Sequence, residues 1–211
     1  MLLSRACAGC RGPGPSPCRR CAAGMRSIGE MVALEPLSGL WAAFSYEGAG
    51  RELLAQLKYR NQRSCVRWVV SAMAQALPAG AAVDAVTWAP TSPHRRRHRG
   101  FDQAELLARR LAREIGLPLV PLLRRMDAAG QTGRSRSQRY GSPNFDPRRR
   151  PPGTILVVDD VITTGATLQA AARALIGAGA QQVFAVVAGT TPAPPLASAP
   201  QQARAQKIGK T

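Results

Sequence analysis

Apolar residues along the 211-residue chain follow two rhythms, and their alternation sets the expected fold. LWAAFSY (residues 40–46) reads as a strand, AVDAVTWAP (82–90) and QQVFAVVAG (181–189) as buried strands, and residues 154–158 as another. Between these runs the spacing turns helical, in GRELLAQLKYR (50–60) and SCVRWVVSAMAQAL (64–77). Ala104, Leu107, Ala108, Leu111 and Ile115 share one face of a further helix, which Asp102 opens with Glu105 at capping-box spacing. Leu168, Ala171, Ala172, Leu175 and Ile176 fall at i, i+3, i+4, i+7 and i+8, and Gly177 and Gly179 stop that helix. LPLVPLL (117–123) suits a short strand. Strands alternating with helices predict an α/β fold: a parallel sheet flanked by helices and joined by right-handed crossovers.

Three stretches fall outside this rhythm. Residues 1–25 hold four of the five cysteines and form a small unit ahead of a main domain over 38–190. Residues 124–153 are rich in Arg, Gly, Ser and Pro with little periodicity, which predicts a lid, a binding loop or disorder. Residues 191–211 have the composition of a disordered tail. The longest aliphatic runs fall far short of the roughly 18 residues that cross a bilayer, so no membrane insertion is expected. MLLSRACAGC lacks the charged and apolar regions of a secretory signal. The expected location is cytoplasmic, with the cysteines reduced or metal-bound.

Charge narrows the class of partner. Against 12 Asp+Glu stand 29 Lys+Arg, a net charge of +17, which favours polyanions, either nucleic acid or phosphorylated small molecules. An Arg-, Ala-, Gly- and Pro-rich composition is also what GC-rich genomes produce. The basic residues cluster in HRRRHRG (94–100), RSRSQR (134–139) and DPRRR (146–150), and Arg95, Arg96 and Arg97 are the candidate contacts to nucleic-acid phosphates. Aromatics at 5% are too few for a base-stacking platform. The two histidines, His94 and His98, sit inside the first run and read as part of a solvated basic loop. No Ser-His-Asp or Cys-His constellation can be drawn.

ILVVDDVITTGATL (155–168) concentrates the chemistry. Asp159 and Asp160 stand at the carboxyl end of a strand, where ligands bind in parallel α/β sheets. Residues 163–167 then turn into a helix whose free N–H groups and dipole attract an anion, with Gly165 allowing close approach. A phosphate in the turn and a vicinal diol at the acids, with a divalent cation, describe a ribose 5-phosphate. A P-loop is excluded because Gly-Lys-Thr occurs only at 209–211, with Arg204 in place of the first glycine. A phospho-receiver domain needs further acids downstream, and none follows Asp160.

ILVVDDVITTGAT resembles the thirteen-residue signature by which type I phosphoribosyltransferases bind phosphoribosyl pyrophosphate (PRPP). With the cysteine unit, YEGAGRELLAQLKYR (46–60), APTSPHRRRHRGFDQAELLA (89–108) and QTGRSRSQR (131–139), the order of segments resembles the ComF/GntX family of competence-associated proteins. The resemblance implies a type I phosphoribosyltransferase-like fold with Asp159 and Asp160 at the ribose hydroxyls. It puts Thr163, Thr164, Gly165, Ala166 and Thr167 around the 5-phosphate. Pro90, Thr91 and Ser92, with Arg99, would form the pyrophosphate loop, and 124–140 a mobile hood. TWAPTSP stands where the family often has Val-Pro-Val-Pro. Mg²⁺ would arrive with the pyrophosphate and ribose oxygens, since hard oxygen ligands suit it.

Cys7-x-x-Cys10 and Cys18-x-x-Cys21, with seven residues between them, are paired knuckles suited to a closed, structural tetrahedral Zn²⁺ site. Cys65, alone on an apolar helix, reads as a core residue. Two functions follow from the resemblance: a PRPP-binding accessory to single-stranded DNA uptake in natural transformation, working with other competence proteins, or an active phosphoribosyltransferase acting on a base or amine. Such transferases act through positioning and electrostatics, so the lack of an obvious base is compatible with either.

Overall fold

Along the chain run α1 (Arg19–Ala23), β1 (Ser27–Met31), β2 (Gly39–Ser45), α2 (Gly48–Arg60), α3 (Val66–Ala76), β3 (Ala85–Trp88), α4 (Pro93–Arg99) and α5 (Gln103–Glu114). They are followed by β4 (Leu123–Met126), β5 (Asn144–Pro147), β6 (Ile155–Ile162), α6 (Ala166–Gly177) and β7 (Val183–Thr190). The computed structural model describes residues 6–60, 62–126 and 143–191. Five strands form one sheet in the order β1-β2-β7-β6-β3, parallel except for β1, which lies antiparallel on the β2 edge. Among the described residues, no helix is long and apolar enough to cross a membrane.

The unbroken apolar runs are explained by helices on both faces of the sheet. Leu156, Val158, Val186 and Ala188 point to one side and pack with α2, α3 and α5 through Leu53, Val69 and Leu107. Ile155, Val157, Val183, Ala185 and Val187 point to the other and pack with α6 through Leu168, Ala171 and Leu175. Alternate residues of one strand thus feed two cores. Cys65 is fully buried in the first of them, as expected.

Four expectations need correction. The sixth strand continues through the acid pair to Ile162 because β7 goes on pairing with it, Asp159 opposite Val187 and Ile162 opposite Thr190. The basic run is a helix, α4, set by a Ser92 N-cap, Pro93 in the first turn and Gly100 at φ 77° after the end. Over residues 117–123, only an isolated bridge from Leu119 to Val86 forms before β4 begins. Pro118 and Pro121 cannot donate to a ladder there. Part of the 124–153 loop is an antiparallel ribbon, with Leu123 opposite Pro147 and Met126 opposite Asn144.

Two elements, α1 and β1, carried no clear signal in the sequence. Asp102 caps α5 as predicted, accepting from the Ala104 and Glu105 N–H groups at 3.0 and 3.3 Å. The Glu105 carboxylate turns outward to Arg109 and Arg96, at 3.1 and 3.7 Å. The rest of the expected hood (127–140) and the expected tail beyond Thr191 lie outside the described residues.

Candidate functional site

Unequal strand lengths create the site. On one side β6 loses its partner after Val158, which pairs with Trp88 and accepts one last bond from the Ala89 N–H at 3.0 Å. Pro90 follows, has no N–H to offer, and turns the chain away. On its other side β6 stays paired with β7, so Asp159 and Asp160 are held rigidly beside an open crevice.

The two carboxylates have different surroundings. Asp160 Oδ2 lies 3.1 Å from Lys58 Nζ, with both side chains about 15% exposed. Lys58 comes from the last turn of α2 and stands over the Tyr46 ring, 5.8 Å from its centre. Asp159 is held by its neighbour's backbone, accepting from the Asp160 N–H at 2.7 Å. Burial, and then the Asp160 charge, push the Asp159 carboxyl up to about 8, against the opposing pull of the Asp160 N–H and Lys58. Lys58 was not singled out in the sequence. It lay within a segment legible as a helix, but its facing Asp160 follows only from the packing of α2 beside β6.

After β6, Thr163 and Thr164 are exposed and Gly165 is buried. Gly165 has φ 78°, and a Cβ there would collide with Leu34. The turn demands glycine, whereas the Leu34 methyl group could swing aside. The Ala166 N–H donates to Thr164 Oγ1 at 3.4 Å, and α6 begins at Ala166. Asp159 and residues 161–168 line a small recess at this helix N-terminus, suited to an anion.

A cavity of about 270 Å³ joins these parts. Asp159, Asp160, Thr163 and Thr167 line it together with Pro90, Thr91, Arg95 and Arg99. Thr164, Gly165 and Ala166 line the adjoining recess. Ser92 caps α4 and does not line the cavity, nor do Arg96 and Arg97, which are exposed on that helix with His94 and His98. Sequence reading also missed Arg125, Gln103 and the inward role of Asp102, all of which line the cavity. Asp102 is 5% exposed, and its Oδ2 accepts from the Thr91 N–H at 2.8 Å. Burial pushes its carboxyl up against the pull of the Thr91, Glu105 and Ala104 N–H groups.

The four cysteine Sγ atoms lie within 4.8 Å of one another, and no disulfide joins them. Cys10 and Cys18 Sγ are 3.8 Å apart, the edge of about 3.8 Å that a tetrahedron with 2.3 Å Zn–S bonds requires. A Cβ on Gly9 would stand 2.9 Å from Cys21 Sγ, so glycine leaves room for the thiolate. The Gly9 and Cys18 N–H groups both donate to Cys7 Sγ at 3.3 Å. Burial opposes ionisation of Cys7, but N–H donors from Cys10, Cys18 and Gly9 bring its thiol down to about 6. Burial and the neighbouring thiols push Cys21 up to about 12. One preformed thiolate among crowded thiols is a site that a cation would complete. The donor set fits a metal such as zinc.

The cysteine unit is tied to the rest of the chain. Ala8 belongs to the first core, and Gln62 Nε2 donates to the Ala6 carbonyl at 2.8 Å.

Residues 102–199 match the phosphoribosyl transferase domain family. Competence protein ComFC of Streptococcus pneumoniae is 35% identical over 97 residues, which are 44% of this chain and 42% of that protein. ComFC of Bacillus subtilis is 38% identical over 93 residues, 43% of this chain and 37% of that protein. The alignments thus span less than half of these relatives. Among solved structures, the adenine phosphoribosyltransferase of Leishmania donovani aligns with a TM-score of 0.41 at 16% identity, covering 63% of this chain and 55% of that one. A purine phosphoribosyltransferase from Pyrococcus horikoshii gives 0.38 at 16% identity, covering 60% and 82%.

Proposed function

Because the chain belongs to the ComF family of type I phosphoribosyltransferase-like proteins, we propose that its crevice binds PRPP with Mg²⁺ and that it serves the handling of single-stranded DNA during natural transformation. One observation carries the first half. The acid pair, the turn after β6 and the segment after β3 border a single cavity. In this reading Asp159 and Asp160 accept from the ribose hydroxyls, and residues 163–167 hold the 5-phosphate. Mg²⁺ would arrive with the ligand near Asp159 and Asp160 and would offset the pyrophosphate charge. Zn²⁺ is structural, because four thiolates leave no open position for catalysis.

The test is PRPP and Mg²⁺ added to the protein, with melting temperature and pyrophosphate release both followed. A melting rise without release supports a binding module. Release that requires an added base or amine identifies the second function, a transferase. No rise and no release would exclude PRPP as the ligand.

The DNA half rests on surface charge. Arg95, Arg96 and Arg97 on α4 and Arg109, Arg110 and Arg113 on α5 are all exposed, on consecutive helices. Affinity for single strands is expected to fall with log salt at about −0.7 per phosphate neutralised. Replacing Arg95, Arg96 and Arg97 by Gln flattens that slope by about 0.7 for each phosphate the variant no longer neutralises. Filter binding across a salt series measures it, and an unchanged slope would clear α4 of any role.

A further inference from the structure

Among the described residues, one large aromatic side chain stays exposed, that of Tyr59, at 68%. The other described aromatics are buried or pack against one of the two cores. Tyr59 lies in the last turn of α2, whose buried face is carried by Leu53, Leu54 and Leu57. It joins neither core and does not line the crevice. A single exposed apolar side chain is ordinary on a protein surface. The surroundings of this one are not.

Arg99, the last residue of α4, holds its guanidinium over the Tyr59 ring, 5.3 Å from the ring centre. Arg99 is itself fixed by donating to Gln103 Oε1 at 2.9 Å. With that face of the ring taken and Tyr59 still 68% exposed, the opposite face lies in solvent among the described residues. Arg95 and Arg96 precede Arg99 at i−4 and i−3, so the three cations share one side of α4 in a row that ends at the ring. Arg95 and Arg96 are exposed, as is Arg60 next to Tyr59.

Single-stranded nucleic acid is bound by this combination, a basic track for the backbone and an aromatic face on which a base stacks. The arginine behind the ring sets its plane before any base arrives, which lowers the ordering cost of binding. Composition rules out a platform of several aromatics and leaves room for one position. Resting on the DNA half of the proposed function, we infer that Tyr59 is the stacking position for one unpaired nucleobase of single-stranded DNA, at the end of the arginine row on α4. The arginines then supply affinity and its salt dependence, and Tyr59 separates single strands from duplex, whose bases are already stacked inside the helix.

The test measures Kd by fluorescence anisotropy for a labelled oligothymidylate, an abasic strand of the same length and a duplex of the same length. It is run on the wild type, Tyr59→Ala and Tyr59→Phe. Alanine is the best helix former, so α2 is expected to persist in the first variant. Tyr59→Ala weakens oligothymidylate by about 5- to 150-fold, the range for one stacked base. It leaves the salt slope, the abasic strand and the duplex unchanged, a split that general loss of structure would not give. Tyr59→Phe keeps the wild-type affinity, because stacking uses the ring and not the hydroxyl. A loss below about fivefold on oligothymidylate overturns the inference and leaves the DNA reading standing. An equal loss on the abasic strand overturns it too, since no base is there to stack. A wild type that binds no single strand overturns the DNA reading and the inference together.

Discussion

Replacing Asp159 and Asp160 together by Asn abolishes the rise in melting temperature that PRPP and Mg²⁺ give the wild type. Ligand at 100 times its dissociation constant adds about 2.7 kcal/mol of apparent stability. At roughly 2–4 °C per kcal/mol, the wild-type shift is about 5–11 °C. Asp160→Asn alone keeps the shape and loses the charge, weakening binding by about 1.5–3 kcal/mol. An equal shift in wild type and double variant would remove the acids from the site.

The two singles differ in their effect on the ligand-free protein. Folding raises the Asp159 carboxyl to about 8, from about 3.9 in the unfolded chain. Between these values the folded state retains a proton that the unfolded state has lost. Stability therefore falls as pH rises from about 4 through about 8. Asp159→Asn removes that penalty, so the unliganded variant is more stable than wild type at pH 8 while it binds PRPP worse. Asp160→Asn instead leaves the mostly buried Lys58 cation without its partner, and it destabilises. Hydroxyl donors from a diol favour the ionised carboxylate. PRPP binding near pH 7 should then release part of a proton, seen as a buffer-dependent heat in calorimetry. A binding heat independent of the buffer would deny Asp159 that part.

Chelation of the cysteine cluster is the second large effect. Protein prepared without chelator is expected to carry about one Zn²⁺ per chain, and a structural zinc supplies about 10–16 kcal/mol of binding free energy to the fold around it. Cys21→Ser, at a buried position, abolishes retention of the metal, and Cys10→Ser, at an exposed one, weakens it. The change reaches beyond the knuckles, because Ala8 packs in the first core and Gln62 holds Ala6. The melting midpoint falls, while the sheet keeps its far-ultraviolet signal. Metal analysis that finds no zinc would contradict this account.

Much of this was legible in the residue pattern, for physical reasons. A sheet covered on both faces must be written as unbroken apolar runs, so β3, β6 and β7 announced themselves. The knuckles and the acid pair are local in sequence, and local spacing suffices to read them. The end of β6 was not legible, because an acid at a strand terminus and an acid inside a strand paired on one side look alike. The helix α4 was hidden by its arginines, although Ser92, Pro93 and Gly100 were start and stop signals. Lys58 and Arg125 enter the site from α2 and β4, so only tertiary packing could reveal them.

The strand order has a consequence for how the protein is made. β7, the last strand of the sheet to leave the ribosome, inserts between β2 and β6, which are synthesised far apart. Until it arrives, two long apolar strands each expose an unpaired edge, the condition under which nascent chains associate wrongly. The cysteine unit and α2 emerge well before it and can capture metal early. The crevice cannot form before β7 has fixed the far half of β6. A ligand for that crevice therefore finds its site only once β7 is in place, so occupancy of the site reports a completed sheet.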